Sequence, residues 1–319
     1  MQSFKISIFS LIFVLVILIS AIHYRVDIKN SIILDIASGS STSSIATSLY
    51  ENKIILNPTV FKIYVRLSSN DHKVKAGEYR FKSTQSIHSI VDKLTKGDFF
   101  YRKLTLLPGS TISNILKLGN SEGLINDLVT DPEKLLKKKG ITLQEGIFFP
   151  DTFFYLKGEN FSSILIKSYE KWKKISKDLW INRNLNLPFK NLNEAVTLAS
   201  IIEKEGLEKR KIAGVFVNRL NKNMKLQSDP TVIYALGNEF DGNLTRKNLR
   251  IDNPYNTYRY RGLPPGPISI VSYDSLEAAL NPLLTDYLYF VSMGNGFHKF
   301  SKTLTEHNEA VLKYQINDR

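Results

Sequence analysis

A chain of 319 residues with 43% hydrophobic content is too long for one minimal core and ordinary for a globular protein, so two folded domains and a tail are expected. The absence of cysteine excludes disulfides and thiolate chemistry, and the five histidines (His23, His72, His88, His298, His307) lack ligand spacing, so neither a metal nor a cofactor is expected. A formal net charge of +13 asks for an anionic partner, but no helix-turn-helix, RNA-binding or zinc pattern accompanies it, so nucleic acid is not expected. Anionic lipid headgroups and acidic peptides remain, beside plain compositional drift in a chain rich in lysine and asparagine throughout.

Residues 6–22 are uncharged and interrupted only by Ser7, Ser10 and Ser20. That matches the short end of the ~17–25 residues of a spanning helix. The run is longer than a usual signal core and no A-x-A site follows, so an uncleaved anchor is expected, with the bulk of the chain outside. Residues 26–31 read as a polar linker. Residues 32–36 read as a strand, and Gly39 to Thr42 as a turn and cap before a helix through Ile45 and Leu49. The same cadence returns from Tyr79-Arg80-Phe81 to a helix with Ile87, Ile90, Val91 and Leu94, and from Leu104-Thr105-Leu106 to Ile112, Ile115 and Leu116. Its period is too irregular for a solenoid and fits small α+β modules. Residues 120–139 read as a helical stretch with Asp131 as a cap and Pro132 at the first helical position, and residues 161–180 as a second helix with a lysine face. The C-terminal part, with its Gly294-Asn295-Gly296 turn, reads as a β-hairpin and a final helix. The expected organisation is an α+β chain: tip and anchor over 1–25, a small module over 26–101, and a mixed α/β domain over 102–319.

Residues 191–206 form the most informative helix. Asn191 or Asn193 can cap its start and Gly206 its end. Ala195, Leu198, Ala199 and Ile202 fall at i, i+3, i+4 and i+7, while Thr197, Ser200 and Lys204 share the opposite, wet side. At ~100° per residue, Glu205 projects between Leu198 and Ile201, and Glu203 between Val196 and Ala199. A carboxyl at the border of an apolar face is poorly solvated, which raises its pKa toward what a general acid needs. Either glutamate could equally form an ion pair with Lys204, Lys209 or Arg210, and helical geometry does not choose between them.

Further along, Asp229 before Pro230 has the pattern of a helix N-cap, whereas Gln227 offers an amide suited to hydroxyl and acetamido groups. Tyr255, Asn256, Thr257, Tyr258 and Tyr260 mix aromatic faces with polar rims, as a sugar site or a half-buried strand would. Three prolines between Gly262 and Pro267 make a rigid loop able to shape a cleft wall. Asn218 and Arg219 read as structural bridges. No nucleophile elbow, P-loop or dinucleotide glycine pattern is present. Glycosidic cleavage needs only carboxyls and a sugar cleft, and Glu203 and Glu205, ~200° apart around a helix, cannot easily flank one bond.

Gly146-Ile147-Phe148-Phe149-Pro150-Asp151-Thr152, Val215-Phe216-Val217-Asn218-Arg219-Leu220, Leu226-Gln227-Ser228-Asp229-Pro230-Thr231-Val232-Ile233-Tyr234, Pro254-Tyr255-Asn256-Thr257-Tyr258 and Gly262-Leu263-Pro264-Pro265-Gly266-Pro267-Ile268, together with Glu203-Lys204-Glu205, match in order and spacing. They resemble the YceG-like family of endolytic murein transglycosylases. The resemblance runs from about Ile32 to the C-terminus and is most specific between Glu145 and Ile268. It implies a LysM-like module before the catalytic domain, and a lyase that cuts peptidoglycan glycan strands between MurNAc and GlcNAc, leaving 1,6-anhydro ends. It implies Glu205 as the catalytic residue, because the family's glutamate aligns with the second of Glu-Lys-Glu. The expected substrate-binding set is Gln227, Asp229, Thr231, Tyr255, Asn256, Thr257, Tyr258 and Pro264. Implied partners are glycan strands, penicillin-binding synthases and the inner membrane, with the catalytic domain periplasmic. Two alternatives stay open: a muramidase using Glu205 with Asp229, and a glycan-binding protein in which Glu205 is only a bridge. One departure is Pro108-Gly109, where the family commonly has Glu-Gly.

Overall fold

The computed structural model describes residues 2–70 and 73–316, with the side chains of 2–8 and 316 outside the description. His72 and the last three residues of the expected catalytic domain therefore lie outside the described residues. The architecture is mixed α+β, in two compact units: Met1–Lys103 with Phe154–Glu159, and Leu104–Phe153 with Asn160–Arg319.

In the first unit, helix α1 (Gln2–His23) precedes strand β1 (Val26–Ile36). Phe9, Leu11, Phe13 and Val14 of α1 are exposed, and among the described residues no helix is long and apolar enough to cross a membrane. The expected polar linker at 26–31 is instead the first half of β1, which pairs antiparallel with β2 (Gly77–Gln85) from Val26↔Gln85 to Ile36↔Gly77, with a bulge between Ile28 and Ile32. A polar strand is stable here because its ladder partner satisfies the backbone, whatever its side chains prefer. Helices α2 (Thr42–Glu51), α3 (Pro58–Leu67) and α4 (Ile87–Lys96) also belong to this unit. Each starts on a side chain that accepts from free N–H groups: Ser41, Asn57 and Ser86 respectively. Leu49, Phe61, Tyr79, Phe81, Ile90 and Leu94 are fully buried in one core, each contributing roughly 1.5–3 kcal/mol through burial.

Strand β3 (Arg102–Thr105) pairs with β4 (Thr152–Tyr155). Helix α5 (Ile112–Lys117) follows β3. Helix α6 (Pro132–Lys138) is much shorter than the helical stretch expected over 120–139. Asp131 accepts from Lys134 N at 2.8 Å, and proline fixes the start there. The long α7 (Phe161–Ile181) leads to α8 (Leu192–Glu205), α9 (Lys209–Asn221), α10 (Asp229–Leu236) and α11 (Tyr273–Leu280). The hairpin β5 (Tyr289–Ser292) and β6 (His298–Ser301) then precedes α12 (Leu304–Val311).

Helix α8 is enclosed by α9, α10 and α11. Its expected wet side is therefore mostly dry. Thr197 and Ser200 are buried, and the Ser200 hydroxyl accepts from Ile268 N at 3.0 Å while donating to Thr197 O at 2.7 Å. Two small hydroxyls can be buried on a helix because the helix's own carbonyls accept from them. Pro108-Gly109 lies beside the same segment, with Gly109 N donating to Ile270 O.

Candidate active site

Asn191 caps α8 by accepting from Glu194 N at 3.0 Å, and the helix ends on Glu205. The residue after it is glycine for a different reason from the one expected. Gly206 has φ 162, extended backbone open to any residue, but a Cβ there would sit 2.6 Å from Cε1 of His298. The missing side chain lets the β5–β6 hairpin close against the end of α8. The His298 N–H also donates to Glu208 at 2.8 Å.

Glu205 enters a cleft of about 670 Å³ whose walls include Arg219, Gln227, Asp229, Tyr258, Tyr289 and His307. The Ser228 hydroxyl donates to Glu205 Oε1. Burial pushes the Glu205 carboxyl up to about 7; the Ser228 hydroxyl pulls it down, the Asp229 charge raises it further, and the Arg219 charge opposes it. A carboxyl with that value is available both as acid and as conjugate base near neutral pH.

Glu203, two residues earlier, lives in the opposite environment. Burial opposes its ionisation, but the Ser272 hydroxyl and N–H, Ser275 and the Lys209 ammonium together outweigh it and hold the carboxyl below its ordinary value. Oε2 accepts from Ser272 Oγ at 2.6 Å and Ser272 N at 2.8 Å, and Oε1 pairs with Lys209 at 3.0 Å. It is a saturated, charged bridge between α8, α9 and the start of α11.

The expected substrate set divides. Gln227, Asp229 and Tyr258 share the Glu205 cleft. Asp229 is not the N-cap that the Asp-Pro pattern suggests: Ser228 occupies that position and Asp229 is the first residue of α10. Its carboxylate accepts from the Tyr258 hydroxyl at 2.6 Å. Burial, followed by this bond and the Asp229 charge, pushes the Tyr258 hydroxyl well above its ordinary value. Gln227 has φ 50, a left-handed conformation that costs a non-glycine residue about 1–2 kcal/mol, and its N–H donates to Thr257 O.

Thr231, Asn256, Thr257 and Pro264 are buried and lie behind the surface. Asn256 Nδ2 donates to Leu249 O and Ile251 O, and Thr257 Oγ1 accepts from Ser228 N at 3.0 Å and bonds Thr231 Oγ1 at 2.8 Å. Tyr255 faces elsewhere, with its ring 4.8 Å from that of Tyr234. Tyr234 lines a separate cleft of about 390 Å³ with Glu145 and Lys204. Burial pushes Glu145 up to about 7, against the Ile112 N–H and Tyr234 bonds that lower it.

Arg219 does act as a structural bridge, donating through Nε to Leu288 O at 2.6 Å and through Nη1 to Leu226 O at 2.8 Å, yet it also reaches the cleft. Tyr289, His298 and His307 were missed as cleft residues, because they come from a hairpin and helix remote in sequence. Ser228, buried behind the cleft, was missed as the partner of Glu205. Among the described residues no group of three His, Asp or Glu side chains is placed to hold a metal ion.

Comparison with known proteins decides the kinship. Residues 34–313 match the model of the YceG-like family. The chain belongs to that family. A YceG-like protein from Listeria monocytogenes, solved at 2.6 Å, superposes with a TM-score of 0.53 at 35% identity, over 88% of this chain and 99% of that one. An endolytic murein transglycosylase of Bacillus subtilis is 36% identical over 90% of this chain and 86% of its own length. One from Streptococcus pneumoniae is 27% identical, and there the match spans only 59% of the relative. The motifs around Glu205, Gln227 and Tyr258 all lie within the family match.

Proposed function

We propose that this YceG-like protein is an endolytic peptidoglycan lytic transglycosylase, a carbon–oxygen lyase in which Glu205 performs both proton transfers. The observation that carries the reading is the Glu205 carboxyl, raised by burial toward neutrality and bonded to Ser228 at the cleft that Gln227, Asp229 and Tyr258 share, in a chain whose relatives are named endolytic murein transglycosylases. Protonated Glu205 donates to the glycosidic oxygen between MurNAc and GlcNAc as the C1–O bond breaks. Its carboxylate then takes the proton of the muramoyl C6 hydroxyl as that oxygen attacks C1. The product is a 1,6-anhydro ring and no water is consumed, so no second carboxyl is required. Gln227, Asp229 and Tyr258 bind the strand, while Thr231, Asn256, Thr257 and Pro264 shape the wall that presents them. Tyr255, packed against Tyr234 of the neighbouring cleft, supports the wall that meets a sugar or stem peptide further along the strand.

The second reading, a muramidase, draws on Asp229 lining the same cleft. Digestion of purified glycan strands followed by mass spectrometry separates the two. Internal cuts with 1,6-anhydro ends are expected; reducing ends would replace the lyase by the muramidase. Strands left intact but bound would make the protein a glycan-binding module.

Residues 26–101 are read as a LysM-like module that binds glycan or serves as a spacer. Residues 6–22 serve as an uncleaved, single-pass anchor in the inner membrane with the catalytic unit on its outer, periplasmic face. The exposed apolar side chains of α1 support this. Peptidoglycan synthases of the penicillin-binding type are the partners whose products it would terminate. The protein is expected to retain Met1 and to fractionate with membranes; a mature N-terminus near His23 in a soluble fraction would remove the anchor.

A further inference from the structure

Glu205 does not meet the cleft alone. Ser228 is 1% exposed, and its hydroxyl makes no capping bond to α10 although it stands at the N-cap position. That departs from ordinary use, since a serine there normally spends its oxygen on the helix's free N–H groups. Instead the hydroxyl donates to Glu205 Oε1. Its backbone is tied down by a closed hydroxyl circuit: Ser228 N donates to Thr257 Oγ1 at 3.0 Å, Thr257 Oγ1 bonds Thr231 Oγ1 at 2.8 Å, and Thr231 Oγ1 donates to Ser228 O at 2.7 Å. All three hydroxyls are buried, so water does not compete for them. Among the described residues Glu205 Oε2 makes no hydrogen bond.

We propose that Ser228 is the positioning residue of the reaction, holding Glu205 Oε1 so that the transferable proton resides on Oε2 and leaves and returns there. This rests on the lyase reading given above. With Oε1 occupied as an acceptor, the neutral carboxyl carries its proton on the other oxygen. That proton passes from Oε2 to the departing glycosidic oxygen as C1–O breaks, and the C6 hydroxyl proton passes to Oε2 as O6–C1 forms. The serine proton stays on serine throughout. In between, the Ser228 bond stabilises the carboxylate, as a donor to a charged acceptor does more strongly than to a neutral one. Thr231 and Thr257, buried and unable to touch a strand, act through the same circuit by fixing where Ser228 stands.

The test is the pH profile of strand cleavage by Ser228→Ala in the full-length protein, beside Glu205→Gln. Loss of a hydrogen bond to a charged group corresponds to a fall in kcat of about ten- to hundred-fold. KM is expected to stay unchanged, because Ser228 does not reach the substrate. The descending limb of the profile is expected to move to higher pH, because a donor that favours the carboxylate has gone. A merely structural role would lower the whole profile without moving its limb, and that result would overturn the proposal. So would a wild-type kcat with an unmoved limb. An active Glu205→Gln variant would instead overturn the lyase reading, so the two failures are distinct. Should Ser228→Ala fail to fold, Ser228→Gly removes the same hydroxyl with a residue well accepted at an N-cap. Thr257→Val, which leaves the Ser228 hydroxyl in place but unties its backbone, is expected to lower kcat in the same direction and by less.

Discussion

Glu205→Gln is expected to fold, to bind glycan strands and to lose turnover by roughly 10²–10⁴-fold, at or near the upper figure, because one group performs both halves of the proton traffic. The amide keeps the carboxyl's shape, and its oxygen can still accept from Ser228. What it removes is the proton. Wild-type activity should fall as pH rises through about 7, where burial leaves the acid half ionised. The stability consequence has a definite sign. A carboxyl whose folded value is raised leaves stability intact below the ordinary glutamate value, and that stability is lost as pH climbs toward the folded value. Glu205→Gln should therefore melt at or above the wild-type temperature at pH 8 and close to it at pH 5. Thermal melts at the two pH values, read with a strand-cleavage assay, check the whole statement. A variant that retains turnover would move the chemistry off this residue.

Glu203→Gln is expected to fail in the other currency. Its carboxylate receives two donors from Ser272 and the Lys209 ammonium, and the side chain is only 8% exposed. Glutamine has one oxygen left for three donors, so at least one is orphaned. Breaking a buried ion pair by removing one partner costs about 3–5 kcal/mol, and the lower end applies here because Lys209 keeps partial access to water. For a unit of this size that corresponds to a melting temperature lower by about 6–12 °C. The contribution of Glu203 exists above the ordinary glutamate value and is lost as pH falls through its depressed one, so the gap between variant and wild type should close in acid. At a temperature where both are folded, cleavage should fall only modestly. An unchanged melting temperature with lost activity would make Glu203 the acid–base residue.

Two glutamates separated by one lysine thus carry different expectations, and the helix they share cannot supply the difference. What the sequence determined by itself is local: the span and cap of α8, the helix over Phe161–Ile181, the C-terminal hairpin and the linear motifs that mark the family. These depend on periodicity, capping residues and turn chemistry, which act over a few residues and so are written in them. The first half of β1 was hidden because a polar strand owes its existence to its partner across the ladder. The dry burial of Ser200 was hidden because Ile268, which supplies its donor, is remote in the chain. Asp229 and Ser228 compete for one capping position by the same local rule. Only the arrival of Glu205 and Tyr258 shows where each side chain goes. The opposite ionisation of Glu203 and Glu205 was decided by tertiary structure alone. The ionisation of a carboxyl follows from the donors and the solvent around it, and those come from Ser272 and Lys209 in one case and from Ser228, at the start of α10, in the other.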